Sequence, residues 1–83
     1  MYYTYVLINS RGETYVGQTA CIEARLKAHN SGVCFSTRNR GPWKILFFES
    51  CETRSDAMRM EKYLKTGKGR DYIRYVVESA AAD

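Results

Sequence analysis

Apolar and polar positions change their spacing several times along the chain. Residues 2–9, YYTYVLIN, are aromatic and β-branched with partial alternation, which predicts a strand. Ser10-Arg11-Gly12 is a turn signal, and residues 13–19, ETYVGQT, read as the returning strand. The period then lengthens. Ile22 and Leu26 form the core stripe of a helix over residues 20–31, with Thr19 as its cap and Gly32 as its stop. Residues 33–42, VCFSTRNRGP, are polar, basic and turn-rich, hence a loop. Residues 43–50, WKILFFES, are the most apolar run and predict a third strand with Trp43 and Phe47 in the core. Thr53 or Ser55 caps a helix reaching about Thr66, with Asp56 in its first turn and Gly67 as its end. Gly67-Lys68-Gly69-Arg70 reads as a tight basic turn. Residues 71–80 form a last helix with Ile73, Val76 and Val77 inward, and residues 80–83 are expected to fray. The order β-β-α-β-α-α predicts one compact α+β domain.

The register of the first hairpin decides the chemistry. A three-residue Ser10-Arg11-Gly12 loop, with Gly12 left-handed, places Tyr5 opposite Gly17 and Leu7 opposite Tyr15. Both phenols then share one face, and Gly17 leaves open space over Tyr5. A two-residue Arg11-Gly12 loop would put them on opposite faces. The first register is the expected one.

Composition narrows the function classes. The chain has 83 residues, 45% of them apolar, including seven tyrosines, three phenylalanines and one tryptophan, enough for a modest core. Lysine and arginine total 13 against nine acids, a net charge of +4 that suits a polyanionic partner. Cys21, Cys34 and Cys51 form no CxxC pair and His29 is the one histidine, so a structural zinc site is excluded. The thiols are expected to be reduced and mostly buried, in a cytoplasmic protein. Met1-Tyr2-Tyr3-Thr4 lacks the features of a secretion signal, and no stretch is long enough to span a bilayer.

Three groups of side chains could carry chemistry. Ala57, Glu61 and Leu64 fall on one helix face, and a carboxylate in an apolar stripe is costly unless paired or bound to a cation. Glu61 is therefore a candidate to hold a cation; otherwise it is a partly exposed residue at the stripe edge or the partner of Lys65, one turn on. Arg25 can fork two donors onto a phosphate, and His29, one turn later, can exchange a proton with a phosphate or water; a surface ion pair and a helix-end histidine are the alternative. Tyr5 and Tyr15 are packing residues unless a cationic setting lowers a phenol pKa. Arg38, Arg40, Lys65, Lys68 and Arg70 could grip a phosphate backbone or be solvated surface.

Taken in order, these residues resemble the GIY-YIG nucleases. Tyr3-Thr4-Tyr5, then Tyr15-Val16-Gly17, resembles the paired motif of that family, with Tyr3 in place of the first glycine. Arg25 follows Tyr15 by ten positions within ARLKAHNSG, and His29 stands where the family often has histidine. Ser55 to Lys65, then Gly67 to Arg70, resembles the metal-glutamate helix and basic turn of the small one-domain members. No asparagine follows Asn39, although many relatives carry one in the last segment. The resemblance implies a three-stranded antiparallel sheet flanked by helices. It also implies Tyr5 as general base or water positioner, Tyr15 orienting phosphate or water, Arg25 stabilising the pentacovalent phosphate, and Glu61 as sole protein ligand of one Mg²⁺ or Mn²⁺ ion. The implied activity is hydrolysis of DNA, with RNA as a second possible substrate, directed by DNA structure or by a targeting protein. The alternative is a nucleic-acid-binding module of the same fold that cuts nothing.

Overall fold

A computed structural model describes residues 1–81 of the chain. Strand β1 (Tyr2–Ile8) and strand β2 (Thr14–Thr19) form an antiparallel hairpin. Strand β3 (Lys44–Cys51) pairs antiparallel with the other side of β1, so the sheet runs β2-β1-β3. Helix α1 (Ile22–Asn30) and a short 3-10 turn (Phe35–Thr37) connect β2 to β3. Helices α2 (Arg54–Leu64) and α3 (Gly67–Ala81) follow. This is the α+β order β-β-α-β-α-α expected from the pattern of residues.

The hairpin has the register that puts both phenols on one face. Tyr5 pairs with Gly17 and Leu7 with Tyr15, and Gly12 takes φ +79° at the turn. Asn9 holds that turn from inside, its Oδ1 accepting from the backbone N–H of Arg11 (3.1 Å) and Glu13 (2.9 Å).

Because side chains alternate along a strand, the sheet feeds two cores. On one face Tyr5 and Leu7 pack with Trp43, closed by Tyr15, Ile45 and Leu26 of α1. On the other, Val6 and Val16 pack with Leu64 of α2 and Ile73 of α3. The pairing of β1 with β3 shifts at Val6/Leu7, where Val6 meets Phe47 and Leu7 meets Ile45. The extra residue lets the consecutive Leu46 and Phe47 both pack against the second core. Thr4 fastens α2 to this face, its Oγ1 donating to the Ala57 carbonyl at 2.7 Å.

Three expectations are corrected, and one is refined. Helix α1 begins at Ile22, and Thr19 does not cap it; the Thr19 hydroxyl bonds the backbone of Cys21 instead. The basic loop over 33–42 contains the 3-10 turn. The cysteines are free but not mostly buried: Cys21 is exposed, while Cys34 and Cys51 are partly so. Gly67 to Arg70 is the first turn of α3, not a separate basic turn. Thr66 acts as its cap, accepting from the Gly69 N–H on Oγ1 (3.3 Å) and from the Arg70 N–H on its carbonyl (2.9 Å). Gly69 is there for close approach, since a Cβ would collide with the Tyr63 carbonyl and Leu64 Cα at the end of α2. The tail expected to fray lies partly on residues 82–83, outside those described, and α3 continues through Ala81. Among the described residues no helix is long and apolar enough to cross a membrane.

A Gly69→Ala substitution is expected to destabilise the fold by about 1–3 kcal/mol through overpacking. Gly67→Ala, which meets open space, should stay within about 0.5 kcal/mol of the parent. Urea denaturation of the two variants checks the difference.

Candidate active site

The site begins with a missing side chain. An ideal Cβ on Gly17 would stand 2.5 Å from Tyr5 Oη and 3.2 Å from a ring carbon of Tyr15. The Tyr5 phenol therefore lies over the backbone of β2, in space that only glycine leaves free. Helix α1 crosses this face and brings Arg25 and His29 to the same hydroxyl. Tyr5 Oη is 2.8 Å from His29 Nε2 and accepts a long hydrogen bond from Arg25 Nε at 3.4 Å. The Tyr15 ring packs on the imidazole with centroids 4.9 Å apart.

Thr37, for which the sequence offered no signal, completes the chain. Its Oγ1 is 2.7 Å from His29 Nδ1. The 3-10 turn carrying it is pinned by Trp43, whose Nε1 donates to the Thr37 carbonyl at 3.2 Å. Trp43 is in turn clasped by Asn30 at the end of α1 through two hydrogen bonds, Asn30 Nδ2 to the Trp43 carbonyl (3.0 Å) and Trp43 N–H to Asn30 Oδ1 (2.6 Å). Tyr5, His29 and Thr37 are 2%, 1% and 0% exposed.

Hydrogen-bond bookkeeping assigns the protons. Arg25 can only donate, so it takes a lone pair of the phenol oxygen. The phenolic hydrogen then has His29 Nε2 as its acceptor, the one acceptor bonded to it among the described residues. His29 thus carries its proton on Nδ1 and donates to Thr37. Burial pushes the Tyr5 phenol above its usual range despite the hydrogen bond and charge of Arg25. Burial, with the Arg25 charge, pushes His29 below its usual range. Both groups are neutral near pH 7.

Glu61 stands in the other layer. It belongs to α2, beside the buried Ala57 and Leu64, with a side chain 25% exposed and an ion pair from Oε2 to Lys65 Nζ at 2.7 Å. Among the described residues no hydrogen bond or ion pair joins it to Tyr5, Tyr15, Arg25 or His29, and no three His, Cys, Asp or Glu side chains cluster as a metal cage. The two layers meet around the free edge of β2. At one end of that edge a hollow is lined by Gln18, Thr19, Arg25 and Arg54, and the Gln18 Oε1 is buried without a hydrogen-bond partner. At the other end a second hollow is lined by Thr14, Tyr15, Lys65, Arg70 and Arg74. Lys65 thus links Glu61 to the hollow that Tyr15 lines.

The remaining cations are distributed differently. Arg38 lies over the Phe35 ring (4.9 Å) and Arg40 over Trp43 (5.4 Å), while Arg40 also reaches the Ser36 carbonyl (2.8 Å) and Glu13 (3.8 Å). Lys68 is exposed on the first turn of α3. Arg54 and Arg74, absent from the sequence-derived candidates, line the two hollows.

A family model described as the GIY-YIG catalytic domain matches residues 1–73. A UPF0213 protein of Clostridium perfringens is 41% identical over 66 residues, covering 78% of this chain and 71% of that protein. A UPF0213 protein of Bacillus licheniformis is 40% identical over 78 residues, covering 93% and 80%. The solution NMR structure of a UPF0213 protein from Bacillus halodurans is similar with a TM-score of 0.54 at 29% identity, covering 92% of this chain and 85% of that one.

The His29 shift has a definite sign. A histidine whose folded pKa lies below its unfolded value adds stability above about pH 6.5, and that stability is lost as pH falls from there toward the folded pKa. Stability measured by denaturation should therefore decline below about pH 6.5. A His29→Gln variant should show a flatter dependence in that window. The lowered Glu13 carboxyl acts further into acid and does not confuse the comparison.

Proposed function

The chain belongs to the GIY-YIG family of nucleases, and we propose that it is a divalent-metal-dependent endonuclease that hydrolyses phosphodiester bonds in DNA. The observation that carries this reading is the convergence on one buried hydroxyl: Tyr5 Oη over Gly17, bonded to His29 and loosely to Arg25. A packing tyrosine needs no such company.

The cleft supports a sequence of roles. Arg25 is exposed, and its contact to Tyr5 at 3.4 Å is weak enough to exchange for a phosphate oxygen. When its guanidinium swings outward onto the scissile phosphate, the Tyr5 hydroxyl opens to a water. The water attacks phosphorus and gives a proton to Tyr5 Oη, while Tyr5 passes its own proton to His29 Nε2; the P–O3′ bond breaks, and the departing 3′-oxygen takes a proton from solvent. The phenol never becomes a free phenolate, which its raised pKa would oppose, and the Arg25 charge that helps burial hold His29 neutral moves away onto the phosphate as the imidazole takes the proton. The imidazolium that forms keeps its Nδ1–H on Thr37. Tyr15, packed on the imidazole, orients phosphate or water. The products carry a 5′-phosphate and a 3′-hydroxyl.

Glu61 fits a hard divalent ion to the extent of one carboxylate: Oε1 is outside the Lys65 ion pair, and Mg²⁺ accepts a single protein ligand when waters and phosphate oxygens fill the rest. When bound, such an ion would offset phosphate charge and favour ionisation of a water. A strand wrapping the β2 edge would touch Arg25 and Arg54 at one end and Lys65, Arg70 and Arg74 at the other. Backbone contacts of this kind carry no sequence information, so selectivity would come from DNA structure or from a targeting protein. RNA presents the same phosphates.

One observation favours a second reading. The Glu61–Lys65 pair lies in the layer opposite Tyr5 and Arg25, which suits a nucleic-acid-binding module that does not cut. Incubation of the purified protein with branched and duplex DNA, with Mn²⁺ and with chelator, separates the two.

Tyr5→Phe and His29→Gln are each expected to lower the cleavage rate by about 10²–10⁴-fold, and Arg25→Ala by about 10²–10³-fold. Glu61→Ala should lose divalent-ion-dependent nicking while its circular dichroism matches the parent. Undiminished nicking by Glu61→Ala would rule out the metal assignment.

A further inference from the structure

The positive charge is not spread evenly. Between Glu23 and Glu49 no acid occurs, and that stretch holds Arg25, Lys27, Arg38, Arg40 and Lys44. The rest of the chain carries eight cations and nine acids. The segment from mid-α1 through the 3-10 turn to β3 thus supplies more than the whole net charge of +4. At its tip Phe35 is 82% exposed, far more than a core-forming side chain would be.

Phe35 is not a loose end. Thr37, two residues on, is fully buried against His29, and its carbonyl is held by Trp43. Cys34, the residue before it, is partly buried. The 3-10 turn therefore forms a wall of the Tyr5–His29–Arg25 site and displays Phe35 beside it. Arg38 lies over the ring at 4.9 Å, which orients the aromatic plane and puts a cation next to it. An exposed aromatic ring, held by a cation in an acid-free segment, matches a base stacked on its neighbour with its phosphate alongside.

We propose that Phe35 is a stacking platform for an unpaired nucleobase of the strand whose phosphate docks on Arg25. The substrate class is then nucleic acid with a single-stranded or splayed segment at the cut site, because a base inside an intact duplex has no free face to offer. This rests on the nuclease reading for the identity of the ligand but does not require that the bond be cut.

The test uses the full chain in chelator, so that cleavage plays no part. Fluorescence anisotropy compares Phe35→Ala, Phe35→Trp and the parent on a labelled single strand, a duplex with a single-stranded overhang, and a blunt duplex. Phe35→Ala is expected to weaken binding to the first two by about tenfold and to the blunt duplex by less than about twofold. Phe35→Trp should restore binding, with quenching of the new tryptophan on the single strand beyond that of Trp43 in the parent. The melting temperature of Phe35→Ala should match the parent, as befits an exposed side chain. Equal single-strand affinity for Phe35→Ala and parent overturns the proposal, as does an equal loss on all three ligands or absence of single-strand binding by the parent. Sedimentation distinguishes a further outcome: a parent dimer that Phe35→Ala dissociates would assign the ring to a second copy of the chain and sink the nucleobase. If Phe35 discriminates as expected but no variant cleaves DNA with Mn²⁺, the platform stands and the catalytic reading fails.

Discussion

The structure depends on a close approach between a ring and a bare backbone. Tyr5 can lie across β2 only because residue 17 has no side chain, and it meets residue 17 only because the hairpin has its three-residue turn. A slip of one position would send the phenol into the layer occupied by Leu64 and Ile73, and Val6 into the place now beside α1. The turn chemistry of Asn9 and Gly12 thus acts at a distance on the polar chain Arg25–Tyr5–His29–Thr37. That chain is also the interior of the first core, so its hydrogen bonds are structural as well as chemical. A fully buried imidazole with both nitrogens engaged is satisfied, whereas one that lost Thr37 or Tyr5 would leave a polar atom stranded.

The sheet separates the candidate site into two halves. One side holds the phenols, the imidazole and the guanidinium; the other holds the carboxylate and its lysine. The free edge of β2 is where both become accessible, and cations stand at both of its ends. This arrangement suits the extended polyanion proposed above, which would meet cations at both ends of the edge.

Most of the fold was legible because local signals agreed with one another. The three-residue turn set the hairpin register; Thr53, one of the two candidate caps, closed α2; and Gly32 ended α1 with a positive φ. Tyr5, Tyr15, Arg25 and His29 could be grouped in advance because strand alternation and a one-turn helical spacing are short-range facts. What was hidden depends on tertiary contact. Thr37 sits in a polar loop and is buried only because Trp43 and His29 close on it. The Gly67–Arg70 segment looked like a turn because glycines usually punctuate; here Gly69 answers to the neighbouring helix. The layer in which Glu61 lies depends on the crossover after β3, which no spacing reveals. The exposure of the cysteines was missed for a similar reason, since each sits at the end of an element where burial depends on what lies across from it.

The contact at Gly69 has a mechanical side. With the Tyr63 carbonyl and Leu64 Cα close against the start of α3, the two helices form a tight elbow. Glu61 and Lys65 ride on one arm, Arg70 and Arg74 on the other. A strand gripped by the second arm therefore bears on the first as well, and because Leu64 and Ile73 are locked into the core beneath, the spacing between the Glu61 arm and the Arg70 arm is set by the fold.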